Sequence, residues 1–318
     1  MSNVLETTSL RKDKQEASNR FAYPKKRDLY IPLPSSKINL LEFLKLSRCK
    51  VQRLLGQRNG SIGEVQTASQ RYLYDLQFIY LGRKCLTQID NKALAEKLLL
   101  AIELKETHIA ESYWNATLAS EEFIYFAGGN KPDTNLGALQ ESLAALENLT
   151  SFSPEALGDS TRLDQPEVLS AQFERQLQVL QRAKLLRTHL KLQHHVVTAL
   201  EPITQKLQET SAICPPLDPG RKAIARTVFA KYYIGQIQPL ISQISRSGKR
   251  IQGSLAEITK LTHAKNPSLQ AYLKATWDDS PGSMWHQYQA VTAEHTMAWQ
   301  QAFKDCSIDP RSIKVESS

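Results

Sequence analysis

Arg58 and Arg71, with the amides of Asn59 and Gln70 beside them, are the side chains in this sequence best suited to holding an anion. They flank a polar turn, Gln57-Arg58-Asn59-Gly60-Ser61-Ile62-Gly63, and the run Ser69-Gln70-Arg71 that follows it. A guanidinium makes forked hydrogen bonds to carboxylate or phosphate, and the unpaired N–H groups that open a helix add to them. The competing reading is a capped helical hairpin whose polar groups satisfy one another. Trp114-Asn115-Ala116-Thr117 offers the same choice between an exposed polar site and helix-end packing. A third group lies near the C-terminus. Trp285, Tyr288, Thr292, His295, Trp299 and Cys306 recur at spacings of three, four or seven, so they share one helical face. A cleft lined this way would stack a planar or sugar ligand. The same stripe is also what a packed core looks like, with His295 a buried imidazole bonded to a neighbouring helix.

The usual catalytic patterns are missing. Ser247-Gly248-Lys249-Arg250 resembles the end of a phosphate-binding loop, but position 243 is Gln and the surroundings are helical. Neither a Gly-x-Gly-x-x-Gly fingerprint nor a Gly-x-Ser-x-Gly elbow occurs. His194 and His195 are adjacent and would point about 100° apart on a helix, too far to share an ion. His108 and Glu111 share a face, yet a di-iron bundle needs a second such unit and further carboxylates. No catalytic residue, metal or cofactor is therefore expected. The four cysteines, Cys49, Cys85, Cys214 and Cys306, contain no Cys-x-x-Cys pair. Their even number allows two disulfides in any of three connectivities, or four buried thiols.

Helices are what must position these groups. Gly and Pro number 13 and 14 of 318 residues, while unbranched helix formers are plentiful, and no alternating strand pattern or repeat stands out. The pattern predicts an all-α fold of long antiparallel helices in one or two packed bundles. An arm with an extended Pro-containing segment, Leu29 to Pro34, occupies 1–36. A helical subdomain at 37–150, a linker at 151–164, a second helical subdomain at 165–310 and a tail at 311–318 follow. Predicted helices cover 37–58, 63–88, 91–118, 120–127, 134–150, 166–211 (bent at Pro202), 221–262 (weakened at Gly235 and Pro239), 267–275 and 281–305. Residues 1–60 hold 13 Lys/Arg and 5 Asp/Glu, whereas 61–318 hold 27 of each, so the net +8 belongs to the N-terminal 60 residues, which include the basic arm. Such an arm is either solvated or a contact for nucleic acid or anionic lipid. No aromatic-interleaved basic surface further along favours nucleic acid. Leu98 to Ile102, the longest strongly apolar stretch, is far too short to span a bilayer, and the first residues have no apolar signal region.

Several of these stretches carry a family likeness. Leu40-Leu-Glu-Phe-Leu-Lys-Leu-Ser-Arg-Cys49, Gln57-Arg58-Asn59, Ser61, Gly63, Ser69-Gln70-Arg71, Trp114-Asn115-Ala116-Thr117, and His295 with Trp299-Gln300 and Cys306 resemble an uncharacterised family of gammaproteobacterial lipoproteins, a domain of unknown function. The likeness covers roughly residues 25–310. It implies no activity but does imply a periplasmic or cell-envelope setting, where Cys49 would pair with Cys85 and Cys214 with Cys306. The chain departs from the family in lacking a lipid-bearing Cys at its start, so a membrane tether is expected only with a lipoprotein signal that these residues do not contain. Three readings follow. The first is a non-enzymatic envelope protein that binds or scaffolds an unidentified protein partner. The second is a cytoplasmic interaction protein using its basic arm. The third is a small-ligand binder or enzyme at the 57–71 turn or the Trp-rich helix.

Overall fold

The structure, a computed structural model, describes residues 21–34, 49–59, 66–128, 136–158, 160–209, 219–262 and 265–309. Among the described residues every regular element is helical and no strand occurs, the all-α class predicted from the periodicity. The start of the predicted first helix, much of the basic arm and the turn at 60–65 lie outside the described residues. The chain forms two compact units, each discontinuous in sequence. Residues 22–185 and 253–270 make the N-terminal unit; residues 1–21, 186–252 and 271–318 make the C-terminal unit.

The N-terminal unit is organised around one helix. Its elements are α1 (Lys50–Asn59), α2 (Ala68–Leu86), α3 (Lys92–Thr107), α4 (Ile109–Ala116), α5 (Glu121–Gly128), α6 (Leu136–Asn148) and α7 (Pro166–Ala183). Thr67 starts α2 with a capping box: its side chain accepts from the Gln70 N–H while the Gln70 side chain accepts from the Thr67 N–H. Helices α1, α3, α4 and α7 all pack on α2, and every residue from Tyr72 to Phe78 is buried. A helix enclosed on so many sides shows no single apolar stripe. Gly82 lets α3 come close, because a Cβ there would stand 2.8 Å from Ile102 Cδ1. Cys49, just before α1, is disulfide-bonded to Cys85 near the end of α2, with Cα atoms 5.5 Å apart. This is one of the two pairings that the family likeness implied. Cys306 is disulfide-bonded as well, and the remaining cysteine, Cys214, lies outside the described residues.

Three predicted elements differ in the structure. The helix predicted over 91–118 breaks at His108, whose φ of −111° and ψ of 11° are not helical. No Gly or Pro marks that break. The segment 151–164, expected as a linker, lies within the N-terminal unit as short helical turns, Leu149–Phe152, Pro154–Leu157 and Thr161–Asp164. Its Ser153 and Ser160 are caps, and its Phe152, Leu157 and Leu163 are buried. The longest predicted helix, 166–211, breaks at Lys184, which adopts a left-handed φ of 47°, while Pro202 sits inside the continuing helix. The buried stripe Leu177, Leu180, Ala183, Leu186, Leu190 stays at helical spacing across Lys184, so periodicity does not reveal the break.

The C-terminal unit is built from α8 (Leu185–Gln208), the run α9 (Pro219–Val228), a π-helical stretch (Phe229–Ile237) and α10 (Gln238–Thr262), then α11 (Pro267–Thr276) and α12 (Met284–Asp305). The last turns of α10 and the first of α11 belong to the N-terminal unit. The π stretch includes Gly235 and ends two residues before Pro239, the two positions that the sequence marked as weak. Pro239 has no N–H to donate, and the Gln238 N–H reaches back five residues to the Tyr233 carbonyl. Leu207, Tyr233, Ala298, Trp299, Phe303, Cys306 and Ile308 form a shared apolar cluster. Left-handed Ser307 closes α12: the Ile308 N–H reaches the Phe303 carbonyl at 2.9 Å and the Ser307 N–H the Lys304 carbonyl at 3.1 Å.

Candidate functional site

The residues named for chemistry at 114–117 hold the extended segment. Two prolines keep residues 30–34 out of helix, leaving their backbone groups to find other partners. Trp114 Nε1 donates to the Leu29 carbonyl at 2.7 Å. Asn115 grips Ile31 twice: its Nδ2 donates to the Ile31 carbonyl at 2.7 Å and its Oδ1 accepts the Ile31 N–H at 3.0 Å. Tyr23 donates to the Leu118 carbonyl and Asn266 to the Asp28 carbonyl, both at 2.9 Å. Thr117 bonds back to the Tyr113 carbonyl within its own helix.

A cavity of about 280 Å³ lies beside this clasp, lined by Tyr30, Leu33, Thr67, Ser69, Arg71 and Asn115 among others. Arg71 Nη2 stands 3.4 Å from both the Leu33 and Pro34 carbonyls, while its Nε is buried without a hydrogen-bond partner among the described residues. Ser69 donates to Glu174, and Lys26 pairs with Glu121 on the cavity wall. Two predicted site residues, Arg71 and Asn115, thus meet in one place. Gln70 is exposed and occupied by the cap, Trp114 is buried behind the clasp, and the side chains of Arg58 and Asn59, at the end of α1, are outside the described set. A guanidinium, several hydroxyls and the carboxylates of Glu121 and Glu122 in one lining suit a small polar ligand carrying both signs of charge. A second cavity, about 480 Å³, is lined by Ile31 together with Glu106, Glu111 and Glu155 among others. His108 and Glu111 do approach, at 3.6 Å, but no metal-holding cluster of His, Cys, Asp or Glu forms among the described residues.

The aromatic stripe of α12 is buried in the C-terminal unit: Trp285, His295 and Trp299 are all core residues. Their hydrogen bonds fix the His295 tautomer. Thr204 Oγ1 donates to the Leu200 carbonyl, so at 2.9 Å from His295 Nδ1 it accepts. His295 Nε2 accepts from Trp299 Nε1 at 3.1 Å, since an indole only donates. The ring is held neutral, and burial lowers its pKa.

A second buried imidazole, His189, escaped the sequence reading. Its Nε2 lies 3.1 Å from the Ile244 carbonyl and 2.8 Å from Ser247 Oγ, and its Nδ1 stands 3.0 Å from Gln193 Nε2. The group looks like a Ser-His nucleophile pair. The Ile244 carbonyl requires the proton on Nε2, so the ring has no lone pair facing Ser247 and cannot act as its base. Burial pushes the His189 pKa down to about 4. Gly248, part of the phosphate-loop lookalike, is instead the place where α10 meets Trp285: a Cβ there would overlap the indole ring. Nothing local singles out His189 in the sequence, because its partners Ile244 and Ser247 lie 55 and 58 residues away.

Fold and sites together define an all-α, disulfide-bonded protein whose candidate polar side chains mostly bind its own backbone. The chain belongs to the family described as protein of unknown function DUF3080, whose model matches residues 1–310. No curated protein and no solved structure matches it.

Proposed function

We propose that this chain is a non-catalytic binding or scaffolding protein of the bacterial cell envelope, of the lipoprotein type. The observation that carries the reading is the pairing of its cysteines. Cys49 and Cys85 are bonded, and no described cysteine is free. Disulfides form and persist in oxidising compartments and are rare in the cytosol. The likeness to gammaproteobacterial lipoproteins supports the same setting. Support for binding over catalysis comes from where the polar groups go: Trp114, Asn115 and His189 are engaged in holding helices and an extended segment together. Non-reducing mass spectrometry of the protein from its native host tests the proposal. Two intact disulfides are expected; four free thiols would overturn the envelope reading.

A further inference from the structure

The cavity beside the clasp is lined by two charges that have no ion-pair partner among the described residues. Arg71 stands near the start of α2, where helical side chains lean back over the first turn. Its Nε is buried without a hydrogen-bond partner, and its only bonds are the long ones to the Leu33 and Pro34 carbonyls. The acids around it are engaged elsewhere: Asp75, one turn further along α2, with Lys105 and Ser112, and Glu174 with Ser69. Glu122 lines the same cavity, partly buried. No described cation pairs with it, because Lys26 goes to its neighbour Glu121. A charge withdrawn from water without a counter-charge is costly, so each of these groups calls for a partner of opposite sign.

The backbone adds to the positive end. The capping box takes the N–H groups of Thr67 and Gln70, while those of Ala68 and Ser69 have no intrahelical carbonyl to reach. Both residues line the cavity. Helix α5 also begins there, but its first residues are Glu121 and Glu122, so its start is acidic. Tyr30, Leu33 and Ala119 give the same lining apolar surface. All of these residues belong to the N-terminal unit.

We infer that this cavity binds a small amino-carboxylate, the chemistry of a free α-amino acid. The Arg71 guanidinium and the open N–H groups of Ala68 and Ser69 receive the carboxylate, and Glu122 receives the ammonium. The apolar remainder lies against Tyr30, Leu33 and Ala119. A volume of about 280 Å³ is at the small end of ligand pockets, the scale of an amino acid and not of a nucleotide. A phosphate would meet two carboxylates with a single free guanidinium, and a neutral sugar would leave both charges unpaired. The inference rests on the reading of this chain as a binding protein, gives that reading a ligand, and does not involve the cysteines.

Isothermal titration of the full chain with the standard L-amino acids, one at a time, tests it. At least one is expected to bind with a Kd below about 1 mM. The amide of the best binder lacks the carboxylate and its N-acetyl form lacks the ammonium, so each should bind at least roughly tenfold more weakly. R71Q should weaken binding roughly 100-fold and E122Q roughly tenfold. Both side chains are partly exposed, so an unchanged thermal melt verifies folding. The amide and N-acetyl comparisons use the parent chain and decide the matter even if a variant misfolds. No binding of any of the amino acids at about 10 mM would overturn the inference. So would equal binding of the amide or the N-acetyl form, or parent-like affinity in a folded R71Q or E122Q. Amino-acid binding by a protein with free thiols would defeat the envelope reading alone, and intact disulfides without such binding would defeat this one alone.

Discussion

The two units solve the same problem, burying polar groups, with different chemistry. The N-terminal unit ties its helix ends and irregular segments with tyrosine, tryptophan and asparagine side chains, and buries the ion pair of Asp75 with Lys105. Tyr72 donates to the Phe152 carbonyl, Tyr113 to Leu149, Trp114 to Leu29, and Asn115 grips Ile31. Burial raises the pKa of both tyrosines further from neutrality. Each of these bonds satisfies a carbonyl at a helix end or in an irregular segment. The C-terminal unit ties helix to helix through His189 and His295, and both networks are complete only while the rings are neutral. The tyrosine, tryptophan and asparagine bonds are unchanged by mild acid, whereas the histidine networks are not. The units also differ where helices approach closely. Gly82 faces the movable tip of Ile102, whereas Gly248 faces the rigid, fully buried ring of Trp285.

That last contrast gives the largest predicted effect. Gly248→Ala should destabilise the C-terminal unit by about 3 kcal/mol, overriding the helix-propensity gain of about 1 kcal/mol. Gly82→Ala should change stability by under about 1 kcal/mol, because Ile102 can rotate away. Urea unfolding followed by tryptophan fluorescence reads the difference, since Trp277, Trp285 and Trp299 belong to the C-terminal unit and Trp114 to the other. Equal losses in the two variants would erase the distinction.

Acid should separate the units next. The His189 pKa in the fold, about 4, lies below its ordinary 6.5, so the unfolded chain binds the proton more readily. Its contribution is complete above about pH 6.5 and declines as pH falls towards 4, with about 2 kcal/mol gone at pH 5. His295 acts in the same direction. Hydrogen exchange at pH 5 against pH 7 should show earlier opening in α8, α10 and α12 than in α2 and α4. His189→Gln should flatten the slope. A uniform response across both units would refute the assignment.

The smallest effect sharpens the N-terminal side. Asn115→Ala leaves both Ile31 backbone groups unpaired, at a cost of about 2 kcal/mol or less, confined to the extended segment. Trypsin should then cut at Lys25, Lys26 or Arg27 faster than in the parent chain, while the urea midpoint moves little. An unchanged cutting rate would mean that Trp114 and Asn266 suffice as a clasp.

The helices were legible because their signals are local. Asn91 and Ser283 cap α3 and α12, and the spacing of Leu169, Phe173, Leu177 and Leu180 fixes the buried face of α7. Features set by distant partners were not legible. Lys184 takes a left-handed turn with no glycine to announce it, in the middle of an unbroken apolar stripe. Ser153 and Ser160 looked like linker residues because a cap and a linker use the same residue types. Arg71 and Asn115 were singled out for their chemistry, but only the fold shows that they share one cavity and that Gln70 is committed to a cap. The cationic run through α9 and α10 disappeared in a sum, since charges that cancel over 61–318 need not cancel over one segment.

The discontinuity of the units carries a consequence for how the protein is made. Asp28 leaves the ribosome 238 residues ahead of Asn266, the side chain that bonds its carbonyl. At usual elongation rates that is a wait of roughly 10–50 s. The N-terminal unit is incomplete until residues 253–270 emerge, by which time the whole 186–252 stretch has already appeared. Neither unit can finish before the other is nearly synthesised. Cutting the gene at residue 185 should yield an unfinished half with Leu269 and Asn266 missing, not an independent domain. Synthesis thus commits this chain to assembling both units late and together.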